Sequence, residues 1–283
     1  MEDFVVKSGE TKKIYPRLYR FNNFIIETNA TLIVPERSNQ WLTVLCEGDI
    51  VIDGLLVYRK FYSEGGIVST VLPDNTKIDH QFKCSALGGK GGNGGVNYGN
   101  PDAPGGIGVS GSKLFGGGGG AGGYWSEPSN HSGANASEWH GGVSFSNNIG
   151  GDGGISTFAR HGGLVYFSSM KTFSGIGIID LRGDDGNVGI SGTRGWGAPG
   201  KYGQGNAGGG GGAPAGDGGR LIIKAKEVLL KEPEYKLEGG KGGKGGMAGN
   251  ANETEIAQNG EDGGDGCTGY VEFPVYESEI NQV

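Results

Sequence analysis

Cysteine, histidine and proline are scarce in this chain, with three, four and ten among 283 residues. Cys46, Cys84 and Cys267 are odd in number and form no C-x-x-C pair, so a disulfide framework is not expected. Reduced thiols and assembly in a cytosol are expected instead. His80, His131, His140 and His161 show no metal-ligand spacing, so neither a metal nor a cofactor is expected. No apolar run approaches the ~18 residues of a membrane span. The opening MEDFVVKSGETKK lacks an apolar stretch after a basic region, so no signal peptide is expected. Basic excess is missing too. A net charge of −7 argues against phosphate tracking along nucleic acid and suits a soluble chain.

Apolar residues make up only 35%, so a conventional core is expected in the first 87 residues and only a thin one beyond them. Glycine fills the gap, at 63 residues. Only Gly9, Gly48, Gly54, Gly65 and Gly66 fall before residue 88, so composition divides the chain into 1–87 and 88–283. The first part reads as strands. FNNFIIE (21–27), ATLIVP (30–35), WLTVLC (41–46) and IVIDGLLVY (50–58) are rich in β-branched and aromatic residues and are bounded by turn formers. Stacked or sandwiched short strands are expected there, serving as scaffold or attachment.

The glycines of the second part keep a spacing of three. Gly183, Gly186, Gly189, Gly192 and Gly195 hold it unbroken, as do Gly260, Gly263, Gly266 and Gly269. GGKGGNGG carries Gly88, Gly91 and Gly94, and GGKGGKGG carries Gly239, Gly242 and Gly245. A flexible linker would show no such phase. Three residues per turn is the period of the polyproline-II helix, whose amides must find partners on neighbouring helices when buried. The runs are too short and too poor in proline for collagen. The spacing therefore predicts an all-β fold joined to a bundle of packed polyglycine-II helices, with short strands interleaved and no significant α-helix.

The later chain also repeats an order of two apolar strands followed by a glycine run. It appears at LVYFSSMKTFSGIGIIDLRG (164–183) and at LIIKAKEVLLKEPEYKLEGG (221–240). Leu164 and Leu221 set a period of 57 (221 − 164). In RLIIKAKEV, Leu221, Ile223 and Ala225 alternate with polar residues and predict one buried face. YVEFPV (270–275) reads as a closing strand.

This order of FNNFIIETNATLIVP, LTVLCEGDIVIDG, glycine runs, GGRLIIKAKEV and LEGGKGGKGG resembles glycine-rich bacteriophage tail and tail-fibre proteins. The glycine segments resemble those of the distal adhesins that cap the long tail fibres of T4-like phages. That resemblance implies a rigid polyglycine-II sandwich with receptor-binding loops at one end. It implies location on the virion after assembly in the host cytoplasm. It implies two partners: a bacterial surface receptor, either outer-membrane protein or glycan, and another tail or fibre protein.

The longest interruption of the glycine runs is YWSEPSNHSGANASEWHGGVSFSNN (124–148). Tyr124, Trp125, Trp139, His140 and Phe145 stand there among serine, asparagine and glutamate. Aromatics with small polar neighbours give large contact area at low entropic cost, as recognition surfaces require. Tyr98 in VNYGNPDAP, and Trp196 and Tyr202 in TRGWGAPGKYGQ, are further candidates. Loops 96–104, 124–149 and 193–206 would form a composite tip if they share one end.

Several motifs are set aside. GWGAPGKY imitates a phosphate-binding loop, but Tyr202 replaces the required hydroxyl residue. GGDGG and GEDGGDG lack the tandem nine-residue pattern of calcium-binding repeats, leaving Asp152, Asp262 and Asp265 as turn acids. Arg182–Gly183–Asp184 is an adhesion tripeptide by letter only. No nucleophile, base or paired-acid constellation appears, so an enzyme is not expected. A structural virion component without receptor binding and an ice-binding protein are the alternative readings. The lysines at 90, 241 and 244 argue against the latter.

Overall fold

The computed structural model describes residues 1–35, 39–59, 61–62, 67–82, 87–95, 106–112, 116–121, 124–126, 129–131, 134–138, 140–143, 150, 152–153, 160–193, 196–198, 202–204, 206–229, 233–249 and 257–274. Its first strands are β1 (Phe4–Val6), β2 (Thr11–Lys13), β3 (Leu18–Phe21), β4 (Phe24–Ile26), β5 (Thr31–Ile33), β6 (Leu42–Cys46), β7 (Ile50–Ile52) and β8 (Leu55–Val57), most of them rich in β-branched and aromatic residues. Then come β9 (Phe61–Tyr62), β10 (Val68–Val71), β11 (Lys77–His80), β12 (Tyr124–Ser126), β13 (Ser129–His131) and β14 (Arg160–His161). The later strands are β15 (Leu164–Ser174), β16 (Ile178–Asp180), β17 (Trp196–Ala198), β18 (Tyr202–Gln204), β19 (Arg220–Val228), β20 (Glu234–Lys236) and β21 (Tyr270–Glu272).

In the two parallel sheets the strands pair with the next coil of the chain rather than with their neighbours in sequence. One parallel sheet runs β1-β4-β7-β15-β19-β21, with β3 and β6 entering beside β15. A second runs β2-β5-β8-β16-β20, also parallel. Both sheets cross the compositional step at residue 87, through β7–β15 and β8–β16. Coil stacking aligns like with like: Val6, Ile26 and Ile52 share a rung, as do Leu32, Leu56 and Ile179. Phe24, Phe167 and Phe173 meet at 5.7 and 5.9 Å between ring centroids, and all three are fully buried. Each such side chain contributes about 1.5–3 kcal/mol by leaving water.

The expected fold class is corrected here. The architecture is set by two parallel sheets, and β15 alone runs 11 residues, so the molecule is not a polyglycine-II bundle with short strands interleaved. The physical reason lies in the burial: the largest fully buried side chains are aliphatic and aromatic residues of the stacked coils. Their rungs fix the course of the chain, and the glycine segments enter and leave at strand ends. No α-helix occurs among the described residues.

Two local readings also change. β15 and β19 pair at an offset of 56, not 57: Leu164 faces Arg220 and Val165 faces Leu221. The same offset places Ile178 opposite Glu234 and brings the Lys241 amide to Asp185 and the Met247 amide to Ser191. Leu221, Ile222 and Ile223 are all buried, so β19 does not simply alternate there. The β10–β11 hairpin covers the outer face of this sheet, with Trp41 Nε1 donating to the Val68 carbonyl at 3.2 Å.

The glycine segments carry no strand assignment and hydrogen bond to one another through their backbones. Residues 206–219 are buried throughout. In steps of three, Gly210, Ala213, Gly216 and Gly219 donate to Ile190, Asn187, Asp184 and Leu181. Gly209, Gly212, Ala215 and Gly218 donate to Gln258, Glu261, Gly264 and Cys267, and Gly208 and Gly211 to Gly120 and Gly117. The same segment accepts from Gly240, Gly243, Gly246 and Gly249, and from Gly89, Gly92 and Gly95. Glycine is required by proximity: a Cβ at Gly211 would run into the Gly89 carbonyl.

Candidate functional site

Three glycine segments that touch along their length end in strands that pair. Segment 116–121 leads to β12, segment 181–193 leads to β17, and β18 leads into 206–219. Gly208 donates to Gly120, and Ala207 donates to Thr193 at 3.0 Å. The strands beyond therefore arrive side by side, and form the antiparallel order β13-β12-β18-β17.

The register sets the candidate aromatics in rows. Tyr124 faces His131 on one side and Gln204 on the other, and Gln204 faces Trp196. One row thus reads His131, Tyr124, Gln204, Trp196. The adjacent row reads Asn130, Trp125, Gly203, Gly197. Tyr202 pairs with Ala198 at the far end. Segments around 124 and 202, far apart in sequence, are joined in one sheet.

Of the other sequence candidates, Tyr98, Trp139 and Phe145 lie outside the described residues, as does Gly195. His140 is exposed, and its backbone exchanges hydrogen bonds with Ser137. Its stretch is tied to the glycine segment beside it, since Gly118 donates to Glu138 and Gly142 donates to Gly119. His131 and Gln204 share the row but were not singled out from sequence. The signal for His131 was present: Glu127–Pro128 separates two short polar-aromatic stretches, as a hairpin turn does.

The scaffold glycines stand where backbones come close. Gly91 and Gly94 face the Gly118 and Ala121 carbonyls, Gly183 faces Gly216, Gly186 faces Ala213, Gly189 faces Gly210, and Gly192 faces Ala207. Gly239, Gly242 and Gly245 face Gly266, Gly263 and Gly260, which in turn face Gly216, Ala213 and Gly210. Gly88 donates to the Ser112 carbonyl.

The acids set aside as calcium ligands serve the backbone. Asp152 accepts from the Gly141 amide at 2.7 Å, Asp262 from Gly245 at 2.9 Å and Asp265 from Gly242 at 2.8 Å. The Lys244 ammonium, then the Gly245 amide, hold the Asp262 carboxyl below the usual range. For Asp265 the Gly242 amide comes first, then Lys241. Asp184 pairs with Arg59 at 2.8 Å. Among the described residues no group of three potential ligands could hold a metal ion.

A buried polar cluster sits where β14 meets the glycine segments. His161 accepts from the Asp217 amide at 2.9 Å and stacks on Phe82 at 3.9 Å between centroids. Phe82 also meets His80 edge-on at 4.6 Å. Burial, then the charge of His80, pushes the His161 pKa down to about 4. Asp217 Oδ1 accepts from the Cys267 amide at 2.9 Å. Cys267 is disulfide-bonded, which corrects the expectation of reduced thiols at that residue. Cys46 is a buried free thiol, raised to about 12 chiefly by burial.

Comparison with protein-family models, with curated proteins and with solved structures gave no match.

Proposed function

We propose that this chain is a receptor-binding protein of a bacteriophage tail and that the sheet β13-β12-β18-β17 is its contact surface. The supporting observation is the register that sets Tyr124, Gln204 and Trp196 in one row, with Trp125 in the next. Two aromatic and polar stretches remote in sequence gain one preordered backbone, and a preordered surface loses less entropy on binding. The receptor is a bacterial outer-membrane protein or a surface glycan, and the reaction is adhesion rather than catalysis. The mature location is the virion, where the chain works beside another tail or fibre protein.

The test is adsorption. The purified chain should bind susceptible cells and block phage adsorption. The pair Tyr124→Ala and Trp196→Ala, which the register sets in one row, should lower cell binding by about tenfold or more, with the thermal transition of the whole chain kept. Unchanged adsorption by the double variant removes this sheet from the site. No cell binding by the parent chain, on any host the phage infects, favours a structural tail component instead.

A further inference from the structure

In spatial order the strands of the antiparallel sheet read SNH, YWS, YGQ and WGA. They hold no lysine, arginine, aspartate or glutamate, and no aliphatic residue larger than alanine. What remains is aromatic rings, amides, hydroxyls, an imidazole and glycine.

Residues opposite one another in an antiparallel pair share a face of the sheet, and so do alternate residues along a strand. One face therefore carries the row His131, Tyr124, Gln204, Trp196, with Ser126, Ser129 and Tyr202 two positions along. Trp125 falls on the other face with Asn130, Gly203 and Gly197. On the first face two aromatic residues flank a glutamine. Tyr124 and Trp196 stand two strand steps apart, about 9.6 Å. The glycine segments behind the strands fix that interval, because Gly208 donates to Gly120 and Ala207 donates to Thr193.

The row suits one class of ligand. A neutral sugar has an apolar C–H face and a rim of hydroxyls. Flat aromatic rings cover the first. Amide, imidazole and hydroxyl groups, each able to donate and to accept, match the second. Each sugar of an extended glycan advances by close to one strand step, and alternate sugars present the same face. Aromatic residues two steps apart thus match alternate sugars, and Gln204 matches the sugar between them. Protein interfaces also use tyrosine and tryptophan, but they add arginine and methionine, and these strands hold neither. An acidic glycan would find no lysine or arginine on them.

We propose that the face carrying Tyr124, Gln204 and Trp196 binds a neutral, extended glycan of the bacterial surface, laid across β12, β18 and β17. This narrows the receptor reading above and rests on it. Tyr124 and Trp196 each cover the C–H face of one sugar. Gln204 exchanges hydrogen bonds with the hydroxyls of the sugar between them, and His131 meets a hydroxyl at the far end of the row. No ion pair takes part, so salt does not weaken binding.

The test uses the full chain and susceptible cells that are untreated, treated with protease, or oxidised with periodate, which cleaves the vicinal diols of sugars. Binding should survive protease and fall about tenfold or more after periodate. Neutral polysaccharide released from the same cells by mild acid should compete, and affinity should hold between about 0.05 and 0.5 M salt. The pair Tyr124→Phe and Trp196→Phe keeps flat rings and should stay within about threefold of the parent. The pair Tyr124→Leu and Trp196→Leu stays apolar without them and should lose about tenfold or more, and Gln204→Ala about five- to tenfold. Binding that protease abolishes, that survives periodate, or that the released polysaccharide leaves untouched overturns the glycan, and the receptor reading then still stands. Competition and salt dependence are read on the parent chain, so a variant that fails to fold cannot hide this outcome. Equal affinity of the phenylalanine and leucine pairs overturns the assignment to this face. No binding of the parent chain to untreated cells overturns both readings.

Discussion

Segment 206–219 and strand β15 are both largely buried, and they bury different things. β15 puts Leu164, Val165, Phe167 and Phe173 out of water, and its stability comes from apolar area. Segment 206–219 has almost no side chain to bury. Its neighbours are carbonyls and amides of five other glycine-rich segments, and its stability comes from satisfying them. Apolar packing tolerates loss of volume at a graded cost. Backbone packing has no volume to lose and cannot accept any more.

That contrast can be broken first at Gly211. Gly211→Val would place branched carbons where the Gly89 carbonyl lies, and adjoining segments would have to part. The expected outcome is loss of cooperative unfolding and of soluble protein, a larger effect than any single truncation in β15. Second, Phe167→Ala should cost about 3–5 kcal/mol, read as a lower denaturation midpoint with cooperativity intact. If Gly211→Val proves milder than Phe167→Ala, the glycine segments are looser than their hydrogen bonds indicate.

The third test lies at the junction of the two regions. His161 is held neutral, so the unfolded chain takes up its proton first as pH falls. The stability this contributes is complete above the ordinary histidine value and is lost between about pH 6.5 and 4. A shift from 6.5 to about 4 corresponds to roughly 3 kcal/mol. Denaturation midpoints should fall over that window, and His161→Gln should flatten the slope. A parent chain with no slope there would remove His161 as the cause. Smallest of all, Lys244→Ala breaks an exposed ion pair with Asp262 and should leave the thermal midpoint unchanged within error.

The stretches FNNFIIE, ATLIVP, WLTVLC and IVIDGLLVY announce β4 through β8 by β-branched and aromatic content. Their partners are not announced, because parallel pairing joins residues of successive coils and leaves no local mark. Phe24 pairs with Phe4 and Ile50, and alternation around Phe24 reads the same for a hairpin. The spacing of glycines at 183, 186, 189 and 192 was visible, and their donors reach Glu238, Lys241, Lys244 and Met247 at the same interval. Period alone could not tell that the strand stack governs the fold. The repeat was visible but misread by one residue, since Leu164 and Leu221 look alike while Leu164 pairs with Arg220. At the candidate site, WGA and YGQ are three-residue strands that each centre on a glycine, a residue depleted in strands. Tertiary delivery by the glycine segments makes β17 and β18, so their pairing with β12 was out of reach.

The way β12, β17 and β18 grow out of touching glycine segments also has a mechanical meaning. A pull on the antiparallel sheet runs lengthwise down segments 116–121, 181–193 and 206–219. Such a force shears their cross-links in parallel rather than unzipping them singly, and many must yield at once. Tension at the outer sheet would thus be shared deep inside the molecule before any strand comes free.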